Sequence, residues 1–526
     1  MADSSFFRIL LFIFPSILGL ALISLLSQKS SSWTLISTVS NTNVVTAKTP
    51  PSISERREEA LDLPPDIVDG NGGSEEANSK DAVPNNLASM PVAAEALQVQ
   101  NFNERDEASQ INATGSSMKD SPDRPLNTKR PRVRIRTNLD RLEMGLQQAR
   151  AGIRAAMNGS RVQDPDYIPT GPSYLNAKAF HRSYLEMEKR FKIFVYKEGD
   201  PPLFHDGPCY HLYTTEGIFI HKMQMDIHFQ TQDPEKAHVF FLPYSITRMV
   251  QYVWERGHYY DAIGNLVQDY VNVIARKHHY FNRSLGTDHF ILSCHDWAPT
   301  TSFYSPLLGE NSIRVLCNAN TSERFNPVKD ASIPGLHLMP GRSELGSVVG
   351  GPSPSQRRIL AFFAGGNHGP VRPLVFKQWE NKDPDIQIHN YLPKGVSYHK
   401  LMRNSKFCLC PSGYEVGSPR IVESVNNGCV PVLISKNYVP PFSDVLNWKM
   451  FAVIVSLEDI PNLKKILLGI SDSQYIRMQK RVVQLGRHFQ ANTPPKRFDV
   501  FHMILHSIWL RRLNIRIGKD LDAVPN

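Results

Sequence analysis

The chain has 526 residues, of which 41% are hydrophobic and 21% charged, and its formal net charge is +9. This composition excludes a chain that is disordered throughout, and six cysteines are too few for a small disulfide scaffold. A polytopic membrane protein is excluded because only one stretch is long and apolar enough to span a bilayer. The modest positive charge suits any anionic partner, but no zinc-finger, RNA-recognition or basic-heptad pattern points to nucleic acid.

The first apolar stretch covers residues 9–26 and lies at the lower length limit of a membrane-spanning helix. Arg8 precedes this stretch and Lys29 follows it. A cleaved signal peptide has similar flanks, but this run exceeds an ordinary signal core and no small-residue cleavage site follows at once. We therefore expect a transmembrane signal anchor behind a cytoplasmic tail of residues 1–8, with a cleaved signal as the alternative.

Residues 27–165 are predicted to form a lumenal stem. Most of this segment is poor in aromatic residues and rich in Ser, Asn, Asp, Glu, Pro and Ala, so burial cannot offset the entropy of ordering it. Near its end, Leu142, Leu146, Ile153 and Met157 recur at helical spacing. The stem is therefore expected to be mostly disordered, with an amphipathic helix near 139–157.

Four tripeptides fit the acceptor pattern for N-glycosylation. They begin at Asn112, Asn158, Asn282 and Asn320. Because such tripeptides arise by chance in any long chain, they support a position of the head in a secretory lumen without establishing it.

The folded head is expected to begin near residue 166, where strands and helices start to alternate. The first domain, residues 166–345, has predicted strands at 191–196, 237–242 and 288–293 and a helix at 259–277. Such alternation predicts a parallel sheet, and ligands bind such sheets beyond the carboxyl ends of the strands. His295 and Asp296 follow the third strand and therefore occupy a candidate site position.

A second α/β series follows a stretch at 341–358 that is rich in Gly, Ser and Pro and reads as a linker. This second domain, residues 346–515, precedes a tail of residues 516–526. Its predicted elements are strands at 359–363, 407–410 and 430–434 and helices at 370–380, 419–426, 473–489 and 499–513. The predicted architecture is two Rossmann-like α/β domains that face a cleft.

One loop and helix of the second domain carry the strongest signal for a phosphate site. A predicted strand ends in a loop with Ser412 and Gly413, and Ser418 is predicted to cap the next helix. A helix N-terminus and the fork of Arg420 suit a diphosphate, and Glu423, one turn later, can accept the hydroxyls of a ribose. The alternative is a capped core helix with an Arg–Glu surface pair.

A glycine turn is the second phosphate candidate. It contains Gly365 and Gly366 and is followed by Arg372. The turn matches neither a Walker loop nor the dinucleotide-binding glycine pattern, but it could form a backbone cradle. A turn required only by tight packing is the alternative.

Acid–base chemistry needs a carboxylate or histidine in the cleft. The candidates are Asp296, His295, Asp206 and Glu216, each of which could instead be structural. No histidine spacing indicates a metal site, no Asp-x-Asp signature for a divalent nucleotide-sugar site is found, and no G-x-S-x-G elbow is present. The pairing of the six cysteines stays open.

Motifs along the whole head resemble the exostosin-like family of glycosyltransferases, in its large plant branch. The resemblance runs from about 180 to 515. The matching strings are MEKRFK (187–192), HDGPC (205–209), TEG (215–217), SCHDWA (293–298), RVLCNAN (314–320), LAFFAGG (360–366), YLPKG (391–395), FCLCPSGY (407–414), SPR (418–420), GCVPV (428–432) and PPFSD (440–444).

The resemblance implies a Golgi type II membrane protein with a GT-B fold. It implies inverting transfer of a sugar from a nucleotide sugar, expected to be a UDP-sugar, onto a cell-wall polysaccharide or a glycoprotein glycan. The donor would lie on the second domain, where Arg372, Arg420 and Glu423 match the family's donor site. It implies no bound cofactor and no essential divalent metal. The partners would be the donor, the glycan, the membrane and, as homo- or hetero-oligomer, other glycosyltransferases.

Inverting transfer needs a base on the acceptor hydroxyl, for which Asp296 is the first candidate and Asp206 and Glu216 follow. Glu415 and Glu423 have a spacing known from retaining enzymes, which we interpret as coincidence or a loop contact. One alternative function is a non-catalytic lumenal partner subunit or glycan-binding scaffold. A glycan hydrolase would need two carboxylates across one bond, and the sequence offers no such pair.

Overall fold

Two parallel β-sheets organise residues 137–159, 163–254, 260–340 and 350–518, which are the residues described by a computed structural model. The predicted cytoplasmic tail, the anchor, Asn112 and most of the stem lie outside these residues, as do 341–349 of the linker. Within the described ranges, no helix is both long enough and apolar enough to cross a membrane.

The first sheet contains six parallel strands in the order β2-β1-β3-β4-β5-β6. These strands are β1 Ile193–Val195, β2 Gln230–Thr231, β3 Val239–Phe241, β4 His289–Ser293, β5 Ile313–Leu316 and β6 Ala331–Ser332. The helices in the same part of the chain are α1 Asn138–Asn158, α2 Ala177–Arg190, α3 Thr214–Met225, α4 Ile246–Tyr252, α5 Asp261–Lys277, α6 His279–Ser284, α7 Ala298–Thr301 and α8 Pro306–Asn311.

The second sheet contains five parallel strands in the order β11-β10-β9-β7-β8. Its strands are β7 Ile359–Ala364, β8 Ile386–His389, β9 Ser405–Pro411, β10 Val430–Ile434 and β11 Val453–Val455. Its helices are α9 Arg372–Trp379, α10 Tyr398–Asn404, α11 Arg420–Asn426, α12 Leu463–Leu468 and α13 Asp472–Leu485, and α14 Val500–Asn514 ends the fold. The chain leaves β7 toward β8 and returns to β9 on the other side, so the connections diverge between β7 and β9 and open a crevice there.

The predicted pair of parallel α/β sheets is confirmed, and all six predicted strands are present, as β1, β3, β4, β7, β9 and β10. The strands that the sequence did not indicate are β5 and the four edge strands, β2, β6, β8 and β11. Central strands such as β4 and β10 are buried at every residue and read as continuous apolar runs. Edge strands are shorter or carry polar residues, so their pattern is weaker.

The last helix, α14, packs against the first sheet although the sequence analysis grouped it with the second domain. Arg512 Nε donates to the carbonyl of His238 at 2.7 Å, and Arg511 Nε donates to the carbonyl of Asp330 at 2.9 Å. Trp509 meets Phe191 edge-on, with ring centroids 5.4 Å apart. An apolar pattern shows that a helix is buried but not which sheet covers it.

Helix α1 also belongs to the folded head. Thr137 and Asp140 form a capping box at its N-terminus, and Leu146 is fully buried. Arg150 Nε donates to the carbonyl of Leu513 at 2.6 Å, which ties α1 to the end of α14. The helix that the sequence placed in the stem near 139–157 therefore packs on the head, and the folded region begins before the predicted boundary at 165.

Candidate active site

Two loops leave neighbouring strands of the second sheet at the point where its connections diverge. Gly365 follows β7 with φ of 155°, and a Cβ atom there would lie 1.9 Å from Arg420 Nη2. Gly369 has φ of 73°, and a Cβ atom on it would lie 2.1 Å from the carbonyl oxygen of Gly413, in the loop after β9. Glycine is therefore required at both positions because the loops and the guanidinium approach closely.

Two arginines lie side by side at this crevice. Arg420 Nε and Nη2 donate to the carbonyl of Ala364 at 3.1 and 2.9 Å, and Arg372 Nη1 donates to the carbonyl of Gly366 at 2.9 Å. Both guanidinium groups lie over the ring of Phe363, at 4.8 and 5.7 Å from its centroid. Burial, and secondly the charge of Arg420, lower the pKa of Arg372. A dianion between the two groups would relieve this repulsion.

Further polar atoms in this cluster have no hydrogen-bond partner within the protein. They are Arg372 Nε, His368 Nδ1 and Ser418 Oγ, and all three atoms are buried. Burial, followed by the charges of Arg372 and Arg420, lowers the pKa of His368 to about 4, so this ring is neutral at neutral pH. Buried polar atoms are usually paired in folded proteins, and a polar ligand or ordered water at this position would pair these three.

Glu423 lies on α11, three residues after Arg420. Its Oε2 accepts from the hydroxyl of Tyr398 at 2.8 Å, and its Oε1 lies 3.6 Å from His337 Nδ1. Burial acts to raise the pKa of Glu423, but His337, Arg420 and Tyr398 together outweigh it, and the net change is a lowered pKa. The side chain is therefore a carboxylate, and it connects the second sheet to the segment that follows β6.

The predicted capping role of Ser418 is wrong. Helix α11 begins at Arg420, with Pro419 at the N-cap position and no side-chain cap. Pro419 has helical angles, φ −57° and ψ −25°, as predicted for the first helical position, but the Ser418 hydroxyl makes no hydrogen bond to the first turn of the helix. Because α11 has only seven residues, its dipole is small, and the positive charge of this site comes mainly from the two arginines.

Asp296 lies on the opposite side of the interface between the two sheets, after β4. Asn318 Nδ2 donates to Asp296 Oδ1 at 2.9 Å, and Asn318 Oδ1 accepts from the backbone N–H of Gly417 at 3.0 Å. A disulfide between Cys294 and Cys317 joins the residues that precede this pair. One buried amide therefore links the candidate base to the loop that leads into the arginine helix.

Tyr213, the residue before α3, completes the surroundings of Asp296. The phenol is hydrogen-bonded to Asp296, and the ring centroid lies 4.9 Å from that of His295. Burial raises the pKa of Tyr213, and the charges of Asp296 and Glu415 raise it further. The phenol therefore keeps its proton and donates to the carboxylate. The sequence analysis singled out neither Tyr213 nor Asn318, although Asn318 lies within a string that resembles the family.

His295 and Glu216 face the interior. His295 is 8% exposed, and burial lowers its pKa to about 3, which leaves the ring neutral. Glu216 is fully buried, and its carboxylate accepts hydrogen bonds from the hydroxyls of Ser293 and Ser245 and from the backbone N–H of Thr247. Burial raises the pKa of Glu216. Glu216 thus supports the end of β4 through Ser293, and His295 accepts from the backbone N–H of Trp297 at 3.1 Å.

Asp206 belongs to a different group of side chains. Its carboxylate accepts from Arg248 Nη2 at 3.0 Å and from His221 Nε2 at 2.9 Å. The structure thus gathers Arg372, Arg420 and Glu423 with the glycine loops, and places Asp296 across from them. It does not bring Asp206 into that arrangement through any hydrogen bond.

The three candidate glycosylation asparagines that lie within the described residues differ in exposure. Asn158, at the end of α1, and Asn282, on α6, are exposed. Asn320 is 7% exposed, and its Oδ1 accepts from the backbone N–H of Ser322 at 3.1 Å. A glycan on Asn320 would have to displace this packing.

In the same described ranges, no group of three or more His, Cys, Asp or Glu side chains could hold a metal ion.

Comparisons with known proteins point to one family. The Exostosin GT47 domain matches residues 187–470. Two proteins of Arabidopsis thaliana, each described as a probable glycosyltransferase, are 59% and 49% identical over 83% and 72% of this chain and 84% and 82% of their own lengths. A probable glucuronosyltransferase of Oryza sativa subsp. japonica is 29% identical over 64% of this chain and 84% of its own length.

Proposed function

The chain belongs to the exostosin GT47 family and is a glycosyltransferase, and we propose that it transfers a sugar from a UDP-sugar, with inversion, onto a cell-wall polysaccharide or glycoprotein glycan. One observation carries this proposal. The paired arginines of the second sheet stand across from Asp296 of the first, and Asn318 joins the two sides. This is the arrangement that a GT-B transferase needs between donor and base.

The donor diphosphate would bind between Arg372 and Arg420. The bond to the sugar breaks with charge accumulating on the diphosphate, and fixed cations in a buried site stabilise that charge. Ser418 Oγ and Arg372 Nε are unpaired within the protein and available to the phosphate oxygens. Two guanidinium groups supply the charge that a divalent ion supplies at other sites, so we do not expect transfer to require one. Glu423 would accept hydrogen bonds from the ribose hydroxyls, which would replace its present contacts with Tyr398 and His337.

Asp296 would act as the general base. It takes the proton of the acceptor hydroxyl while the oxygen attacks the anomeric carbon from the face opposite the leaving diphosphate, which inverts that centre. Tyr213 and Asn318 would act as positioning residues, because both are hydrogen-bonded to the Asp296 carboxylate. The neutral phenol and the amide donate to two of the about four lone-pair positions of the Asp296 carboxylate, and the acceptor hydroxyl would donate to another.

We also propose that the head lies in the Golgi lumen behind a single type II anchor at 9–26. The two disulfides, Cys294–Cys317 and Cys408–Cys429, support this location because disulfides persist in oxidising compartments. A C-terminal tag on the full chain in sealed microsomes should resist protease until detergent is added. Digestion of the tag without detergent would contradict this orientation.

The transfer proposal is tested first by a donor screen. The full chain in detergent is incubated with UDP and a panel of UDP-sugars, and the thermal shift is measured. The panel includes UDP-glucuronic acid because one relative is described as a probable glucuronosyltransferase. Wild type is compared with Arg420→Ala and with a matched control, Arg481→Ala, whose guanidinium also donates to a backbone carbonyl but lies outside the site. A shift that is lost only in Arg420→Ala supports the donor site and names the sugar. No shift with folded wild type would favour the non-catalytic partner subunit.

A further inference from the structure

A second group of ionisable side chains lies apart from the arginine pair. Cys209 Sγ is 3.2 Å from His221 Nδ1, and the other ring nitrogen of His221 is 2.9 Å from Asp206 Oδ1. Arg248 Nη2 lies 3.0 Å from the second oxygen of Asp206. A thiol is thus followed by a base, and the base by a carboxylate that orients it, which is the order found where a sulfur nucleophile is activated.

The group is held in place by a close backbone approach. Gly207 packs on Gly217 at the start of α3, and a Cβ atom on Gly207 would lie 2.7 Å from the Gly217 Cα. His205, at the start of this segment, has φ of 58°, a left-handed conformation that non-glycine residues rarely adopt. The backbone therefore keeps Cys209 opposite His221, one turn further along α3.

His221 is placed to act as the base for Cys209. The hydrogen bond with Cys209 is the largest cause of a raised pKa for His221, burial opposes it, and Asp206 adds to it. A histidine within hydrogen-bond distance of a thiol can take its proton as the sulfur attacks. The His221 side chain is 37% exposed and that of Asp206 is 25% exposed, so solutes can reach the group.

The other cysteine outside the disulfides provides a contrast. Cys410 is buried on β9, and burial raises its pKa to about 12. It has no histidine partner among its hydrogen bonds, which go to Cys408 and Ser424. Of the two free thiols in the described ranges, only Cys209 therefore combines access, a base and an oriented carboxylate.

We propose that Cys209 is a thiol–disulfide exchange site at which a disulfide-bearing molecule becomes covalently attached. The thiolate attacks one sulfur of the incoming disulfide, a bond forms between that sulfur and Cys209 Sγ, and the original S–S bond breaks. The released sulfur leaves as a thiolate and takes the proton that His221 holds. The incoming disulfide is the oxidant, and the protein gains a mixed disulfide. This inference does not depend on the transferase activity.

Glutathione disulfide serves as the probe. The full chain is incubated with it at pH 7, and intact mass and peptide mapping are followed over time. We expect one adduct per chain, located on Cys209, and an unchanged rate in Cys410→Ser. His221→Gln should slow the adduct about fivefold to tenfold, because an unassisted thiol is only a few per cent thiolate at this pH. His228→Gln, an exposed histidine that contacts Glu188 instead, is the matched control.

Three outcomes of the experiment with glutathione disulfide would overturn the proposal. They are no adduct on folded wild type, an adduct on Cys410 instead, or equal rates in wild type and His221→Gln. Non-reducing electrophoresis of the full chain from native membranes distinguishes the source of the disulfide. A band shifted by a partner protein and lost in Cys209→Ser indicates a protein disulfide, whereas an adduct found only by mass indicates a small molecule. A Cys209 found entirely as free thiol in native membranes would contradict attachment in the cell.

Discussion

The two sides of the candidate active site are built in different ways. The donor side comes from two short stretches of chain, the glycine turn with Arg372 and the loop with Arg420, which lie at the ends of adjacent strands. The acceptor side is assembled from Tyr213, Asp296 and Asn318, which come from three separate parts of the sequence. The donor side therefore leaves a local signal of glycines and arginines, whereas the acceptor side depends on strand order and on the Cys294–Cys317 disulfide.

The largest effect is expected on the acceptor side. Asp296→Asn should reduce transfer by about 10²–10⁴-fold, because the base is lost while the shape of the side chain is kept. UDP binding should be unchanged, since the arginines are untouched. Turnover with the donor found by the screen and thermal shift with UDP measure the two quantities. Normal turnover with unchanged UDP binding would remove Asp296 from the base role, and Asp206→Asn is the next variant to measure.

On the donor side, two variants separate phosphate from ribose recognition. Arg420→Ala should weaken UDP by about 10–100-fold and leave uridine binding nearly unchanged, because uridine has no phosphate. Glu423→Gln should weaken both ligands by about tenfold, because a carboxylate accepts the ribose hydroxyls more strongly than an amide does. Calorimetry with UDP and uridine gives these ratios. If both variants lost the same amount of affinity for UDP and for uridine, the two residues would share one structural role.

The two disulfides allow a direct comparison of the two sides, because Cys294–Cys317 lies on the acceptor side and Cys408–Cys429 in the second sheet. Cys294–Cys317 and Cys408–Cys429 span 23 and 21 residues, so replacing either pair with serine should cost a similar amount, about 3 kcal/mol. Only loss of Cys294–Cys317 should also lower kcat, by about tenfold, because it joins the residues before Asp296 and Asn318. Denaturant unfolding and turnover under native conditions distinguish stability from positioning. An equal loss of kcat in both variants would assign both disulfides to stability alone.

The smallest effect is expected for the residue that connects the two sides. Asn318→Ala should lower kcat by about fivefold to tenfold with little change in the KM for the donor, since it removes positioning and not binding. Asn320→Ala, two residues away and engaged with Ser322, is the control. A rise in donor KM without a change in kcat would place Asn318 in donor binding instead.

The glycine-rich turns, the central strands other than β5 and the segments that carry Arg372, Arg420 and Glu423 could be predicted because each rests on local chemistry. Gly365 is required by the approach of Arg420, and the apolar runs of β4 and β10 follow from burial on both faces. The roles of Tyr213 and Asn318 could not be predicted. Their side chains carry no signal of their own, and they matter only because β4 and β5 are neighbours and the second sheet brings Gly417 against them.

The sequence by itself determined the α/β class, the central strands other than β5, the glycine turns and the family, because these depend on periodicity, turn chemistry and motifs within a few residues of one another. Only the tertiary structure decided that α1 packs on the head and α14 on the first sheet, that the Ser418 hydroxyl does not cap α11, and that Asn318 links Asp296 to the loop before Arg420. Those outcomes depend on which distant segments share an interface. Contacts of that kind are chosen by the packing of the whole chain and leave no periodic trace along it.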